Sequence, residues 1–155
     1  MTGKTEARLK EIGIELPAPS QPAGTYVPYV LTGNLVFISG QGPVGPKGLE
    51  YQGKVGQEQN AESGKAAARL TMINVLAQLK AACGGDLDRV TRCVKLLGFV
   101  NSTPDFDQQP SVINGGSDLL VEVFGEAGRH ARSAVSAASL PFQMTVEIEA
   151  IFEIA

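Results

Sequence analysis

Polar and apolar positions alternate most clearly at the end of the chain. Val146, Ile148, Ala150, Phe152 and Ile154 fall on one side; Thr145, Glu147, Glu149 and Glu153 fall on the other, with Ile151 the exception. Period two with β-branched residues predicts a half-buried strand. Just before it, residues 131–138 form a short run of small, β-permissive residues. The break between them contains Pro141, which cannot donate to a ladder. The two runs are expected to form a β-hairpin. Centred on Leu140–Pro141, it sets Ala134 opposite Glu147 and lines Arg132, Ala134, Glu147 and Glu149 along one face. Arg132 is then diagonal to Glu147, roughly 7–8 Å away between backbones.

The helical period appears twice in the middle of the chain. Met72, Val75, Leu76, Leu79 and Cys83 form an i, i+3, i+4, i+7 stripe within a main helix expected over Gln57–Cys83, with Lys65 and Arg69 on its polar side. Gly84-Gly85 ends it. A second helix is expected from about Pro110, acceptable in a first turn, to Phe124. Between them Val90–Val100 is a long β-rich run. Earlier, Tyr26–Leu31 and Leu35–Ser39 flank the turn Thr32-Gly33-Asn34 and predict a hairpin, with Pro28 placing the first strand at an edge. Gly40–Gly56, rich in Gly and Pro, reads as loop.

A short amphipathic helix over residues 4–12, with Thr5, Leu9 and Ile12 on one stripe, leads the chain. Pro17, Pro19 and Pro22 follow as an extended tether. The expected organisation is therefore residues 1–22 as leading helix and tether, and 23–155 as one domain. Its order is ββαβαββ: an α+β fold with a single, mainly antiparallel sheet and two helices on one face. The other face would carry Glu147, Glu149 and Glu153, which must meet water, a ligand or another subunit.

Composition narrows the function. The 155 residues are 43% hydrophobic and 19% charged, with net charge −3, which suits one globular domain. There is no basic run, and aromatics are 6% with no Trp. No nucleic-acid partner is expected, and RNA cleavage ranks low. No apolar run of membrane-helix length and no targeting segment is visible. No membrane partner is expected, and the expected compartment is the cytoplasm. Cys83 and Cys93 match neither a disulfide framework nor a zinc spacing and are expected as free thiols.

No phosphate-binding loop, dinucleotide fingerprint or metal spacing is present. His130, the only histidine, falls in a loop and reads as a surface or interface residue, with its proximity to Arg132 leaving a minor role open. Arg132 beside Glu147 admits two readings. One is a cross-strand salt bridge on a solvated face, worth about 0–1 kcal/mol. In the other, Arg132 receives a substrate carboxylate as a two-pronged donor while Glu147 handles water or a proton. Ser39-Gly40-Gln41 is either a turn or a place where backbone groups meet a ligand. Tyr26 alone reads as a packed aromatic.

Taken in order, several stretches resemble one family. They are Gly24-Thr25-Tyr26, Gly33 to Gln41 with Pro43, Asn114, Ala131-Arg132-Ser133-Ala134-Val135, Leu140-Pro141 and Val146-Glu147-Ile148-Glu149-Ala150. The chain resembles the RidA (YjgF-type) reactive-intermediate imine deaminases, also known as endoribonuclease L-PSP. The resemblance runs from about Gly24 to Glu153. It implies a chorismate-mutase-like fold and a homotrimer with sites in clefts between subunits. It implies hydrolysis of 2-imino or enamino acids to 2-oxo acids and ammonia, without cofactor or metal. Arg132 would hold the carboxylate of the small-molecule substrate. Tyr26, Ser39, Gly40, Asn114 and Ala134 would line the site, and Glu147 with nearby backbone carbonyls would hold the attacking water. A non-catalytic trimer that binds small carboxylates is the alternative. The chain departs from the family pattern at Ala134, where Cys is common, and at Thr25, where Pro is usual. It also has the leading helix and a longer stretch from Ser102 to Pro110.

Overall fold

The computed structural model describes residues 3–155; Met1 and Thr2 of the leading segment lie outside the described residues. The fold is built on helix α2, Ala61–Ala82. It starts four residues later than its apolar pattern suggests, because Asn60 caps it. The Asn60 side chain accepts from the Ser63 amide, and the Ser63 hydroxyl accepts from the Asn60 amide. These reciprocal bonds satisfy two donors that a helix start leaves open. The stripe Met72, Val75, Leu76, Leu79 and Cys83 is buried throughout. Helix α3, Gln109–Phe124, carries Pro110 in its first turn and packs along α2.

The two helices approach closely at Gly115, where a Cβ would stand 2.0 Å from the Lys65 carbonyl oxygen. Backbone cannot yield as a flexible side chain does. Gly115→Ala is therefore expected to destabilise the fold by about 1–3 kcal/mol, read as a lower urea midpoint at unchanged slope.

Both helices cover one face of a five-stranded sheet. Its strands are β1 (Tyr29–Thr32), β2 (Leu35–Gln41), β5 (Val90–Asn101), β6 (Ala131–Ala137) and β7 (Val146–Ile154), in the order β1-β2-β7-β5-β6. Two short strands, β3 (Val44–Gly45) and β4 (Gly48–Leu49), pair within the region expected as loop. β1 and β2 form the expected hairpin around Gly33, and β1 lies at an edge. It begins at Tyr29, after Pro28, so Tyr26 lies outside the strand. The alternation of β7 holds: Val146, Ile148, Ala150, Phe152 and Ile154 are buried at 4% exposure or less. Thr145, expected on the polar side, is instead fully buried and donates to the Gly53 carbonyl.

The C-terminal hairpin does not form. β6 pairs in parallel with β5, and β7 pairs antiparallel with the other edge of β5. Residues 138–145 carry the chain past the end of β5 rather than turning back beside β6. The side chains give the reason. β7 offers four large or branched groups, with Ala150 among them, to the helices and takes the centre of the sheet. β6 offers only Arg132, Ala134 and Ser136 to the same layer, which suits an edge.

The swap changes which residues share a face. Arg132 stands opposite Leu96, and Leu96 opposite Ala150, both core positions beneath the helices. Glu147 stands opposite Phe99 on the other face. Arg132 and Ala134 therefore point to the helix side, and Glu147 and Glu149 to the open side.

Helix α1, Lys4–Glu11, is anchored through Asp88, whose carboxylate accepts from the Lys4 and Thr5 amides and the Thr5 hydroxyl. Those bonds, Thr5's foremost, hold Asp88 below the usual carboxylate range. Leu9 is 2% exposed and joins the same core as α2 and the sheet. Cys83 and Cys93 are buried and unpaired with each other. Burial raises both thiols, that of Cys93 to about 12, so neither behaves as a reactive thiolate.

Candidate functional site: two half-sites on opposite faces

The first half-site is a groove of about 670 Å³ where Tyr26, Gly40, Gln41, Phe142 and Glu147 converge. β2 sets it up. Its register against β7 shifts between Ile38 and Gln41, which lifts Ser39 and Gly40 out of the regular ladder. A Cβ at Gly40 would stand 2.7 Å from Glu147 Oε2, so any larger residue there would push that carboxylate aside. The Ser39 hydroxyl donates to the Val27 carbonyl and ties the bulge to the segment carrying Tyr26. Ser39 itself lines a neighbouring hollow of about 410 Å³ on the open sheet face, with Phe37, Lys95 and Glu149. The Tyr26 hydroxyl accepts from the Ala23 amide at 3.3 Å, which holds the ring over the groove rather than in the core.

Glu147 is half-buried, and none of the ion pairs among the described residues involves it. Burial, reinforced by the neighbouring Glu149 charge, raises its carboxyl above the usual range. A carboxylate so placed is a stronger proton acceptor than a solvated one. The far wall of the groove is Phe142, 69% exposed. Phe142 and Gln143 both have φ of 58°, a left-handed conformation that costs a non-glycine residue energy. Gln52 donates to the Phe142 carbonyl and the Gly53 amide to that of Gln143, which stabilises the turn. Sequence reasoning placed neither residue in the site. Leu140-Pro141 was visible as a break, but its left-handed course was not.

The second half-site lies beneath α3. Arg132 Nη1 donates to Asn114 Oδ1 at 2.7 Å and to Ser117 Oγ at 3.1 Å. No carboxylate lies within salt-bridge distance of Arg132 among the described residues. The expected cross-strand salt bridge with Glu147 is thus absent. What stands in its place is a half-buried guanidinium, held by neutral acceptors on one nitrogen. Ala134, two residues on, packs against the core beside Gly98.

Ser117 and His130 complete this half-site; sequence reasoning gave Ser117 no role and His130 only a minor one, from its proximity to Arg132. Ser117 follows Asn114 by three residues, so both sit on one helix face, a spacing that could have pointed to it. His130 Nε2 lies 2.8 Å from Ser117 Oγ, and Nδ1 lies 2.7 Å from the Gly128 carbonyl. Burial foremost, and the Arg132 charge, lower its pKa below the ordinary histidine value.

The seven expected site residues therefore fall into two groups. Tyr26, Gly40 and Glu147 meet in the groove with Ser39 beside them, while Arg132, Asn114 and Ala134 lie at the opposite edge and face of the sheet. A single chain does not bring them together.

An open, mainly antiparallel sheet backed by helices is an arrangement that solved proteins share. Residues 6–153 match the family described as "YjgF/chorismate_mutase-like, putative endoribonuclease". The chain belongs to this YjgF (RidA-like) family, and its fold is the chorismate-mutase-like α+β fold. Members of the family are generally imine deaminases. Protein TCP17 of Trypanosoma cruzi is 47% identical over 154 residues, covering 99% of this chain and 96% of that protein. A solved Agrobacterium tumefaciens protein of unknown function superposes with a TM-score of 0.92 at 48% identity, covering 98% of this chain and 93% of that one. Escherichia coli TdcF, solved with bound serine, superposes at 0.63 and 30% identity, covering 92% and 97%.

Proposed function

We propose that this protein hydrolyses 2-imino and enamino acids to 2-oxo acids and ammonia. The observation that carries the reading is the Arg132 guanidinium, half-buried and held by Asn114 and Ser117 with no acidic partner among the described residues. Such a group is a receptor for a carboxylate. An imine carbon is already electrophilic, so orientation, a water and proton transfer are sufficient. Water adds to the C=N carbon and passes a proton to Glu147. The proton then goes to the nitrogen of the neutral carbinolamine, whose hydroxyl proton passes to Glu147 as the C–N bond breaks, the C=O forms and ammonia leaves. An enamino acid takes a proton on its β-carbon first. No step calls for a cofactor or metal.

The two half-sites complete each other only between chains. In this reading the protein is a homotrimer, as the family resemblance implies, with Arg132 and Asn114 of one subunit facing Tyr26, Gly40 and Glu147 of the next. The open sheet face supports assembly: it exposes Phe37 and Val135, and β1 at its edge adds Val30. On this reading the compartment is the reducing cytoplasm, consistent with two free cysteines. Among the described residues no helix is long and apolar enough to cross a membrane.

A non-catalytic carboxylate-binding trimer would use the same Arg132, and serine bound to TdcF fits either reading. The raised Glu147 carboxyl in the groove favours catalysis. RNA cleavage finds no support in a chain of net charge −3.

The test is semicarbazide-trapped imine hydrolysis with iminopyruvate and bulkier imino acids, alongside sedimentation equilibrium. Turnover by a trimer is expected. A monomer at micromolar concentration would remove the inter-subunit site. A trimer that binds 2-oxo acids without turnover would select the binding module.

A further inference from the structure

The hydrogen bonds around Arg132 have a direction that the atoms themselves dictate. The Gly128 carbonyl can only accept, so His130 Nδ1, 2.7 Å away, carries the ring proton. In the neutral ring Nε2 is then an acceptor. Ser117 Oγ, 2.8 Å from it, must therefore donate its single proton to His130. The serine oxygen is left with lone pairs only, and these accept from Arg132 Nη1 at 3.1 Å. The second Nη1 proton goes to Asn114 Oδ1 at 2.7 Å. The relay runs Arg132 to Ser117 to His130 to Gly128, without a mismatched donor or acceptor.

Both protons of Nη1 are thereby used. The Nε–H and Nη2–H edge of the guanidinium, the edge that takes a carboxylate in two parallel bonds, has no partner among the described residues. Without Ser117 and His130, only Asn114 would fix the rotation of the fork.

We infer that Ser117 and His130 are positioning residues that orient Arg132 so that its Nε/Nη2 edge meets the substrate carboxylate. This rests on Arg132 being the carboxylate receptor. The carboxylate is held in ground state and transition state alike, so a loosened fork shows in binding rather than in the chemical step.

The experiment compares wild type, Ser117→Ala, Ser117→Thr, His130→Ala and Arg132→Ala in the full-length protein. Calorimetry with pyruvate is read beside KM and kcat for imine hydrolysis. Ser117→Ala and His130→Ala should each weaken pyruvate binding by about two- to twelve-fold, one neutral hydrogen bond's worth, with the loss carried in KM. Ser117→Thr, which keeps the hydroxyl, should restore most of it. Nitrogen-15 NMR of the wild-type histidine should show the Nδ1–H tautomer. An Nε2–H tautomer overturns the relay even if a variant fails to fold. Wild-type affinity in both Ser117→Ala and His130→Ala, with loss in Arg132→Ala, overturns the positioning role and leaves the proposed function standing. Wild-type affinity in Arg132→Ala overturns the carboxylate receptor itself, and the positioning role with it.

Discussion

Glu147→Gln should give a folded protein that binds pyruvate nearly as well as wild type and turns over imines on the order of 10²–10⁴ times more slowly. The amide keeps the shape of the side chain in the Gly40 groove but cannot take a proton from water. Stability should not suffer. The folded-state pKa of Glu147 is raised by burial and by Glu149. Its contribution to stability is therefore full below the unfolded pKa and lost as pH rises through the folded one. At neutral pH the ionised carboxylate costs stability, and a neutral amide removes that cost.

The same shift sets the pH dependence. As a base Glu147 must be ionised. Wild-type rate should fall on acidification through a midpoint above the usual carboxylate range, and Glu147→Gln should lose that limb. Initial rates across pH, beside urea unfolding at neutral pH, measure both. Wild-type turnover in the variant would assign the water to backbone carbonyls alone.

Arg132→Ala should weaken pyruvate binding by about 1.5–3 kcal/mol, the worth of a hydrogen bond to a charged group. That is roughly a 10- to 150-fold rise in Kd. Arg132→Lys should recover part of the loss, because an ammonium lacks the planar fork. The fold should survive. β6 is an edge strand, and Arg132 reaches α3 through only two hydrogen bonds. Calorimetry on the folded variants checks this. Unchanged affinity would leave Arg132 as a brace between β6 and α3. The two substitutions separate the roles: one removes ligand affinity and the other removes turnover.

Local pattern was enough for much of the fold. The period-two run of β7, the apolar stripe of α2 and the glycine turn between β1 and β2 each follow from side chains within a few residues. Strand and helix periods are local properties. The motif order from Gly24 to Ala150 was enough for the family. What the sequence by itself left undetermined was the neighbour of each strand. Alternation says that a strand has two faces; it does not say which strand lies beside it. The break at Pro141 reads as a hairpin, yet β5 lies between β6 and β7, because Val146, Ile148, Phe152 and Ile154 claim the sheet centre and Arg132, Ala134 and Ser136 cannot fill it. That one choice moved Arg132 to the helix side and Glu147 to the open side, dissolving their salt bridge. Only tertiary packing could then place Ser117 and His130 behind Arg132, since contacts 13 to 18 residues apart form when α3 lies across β6.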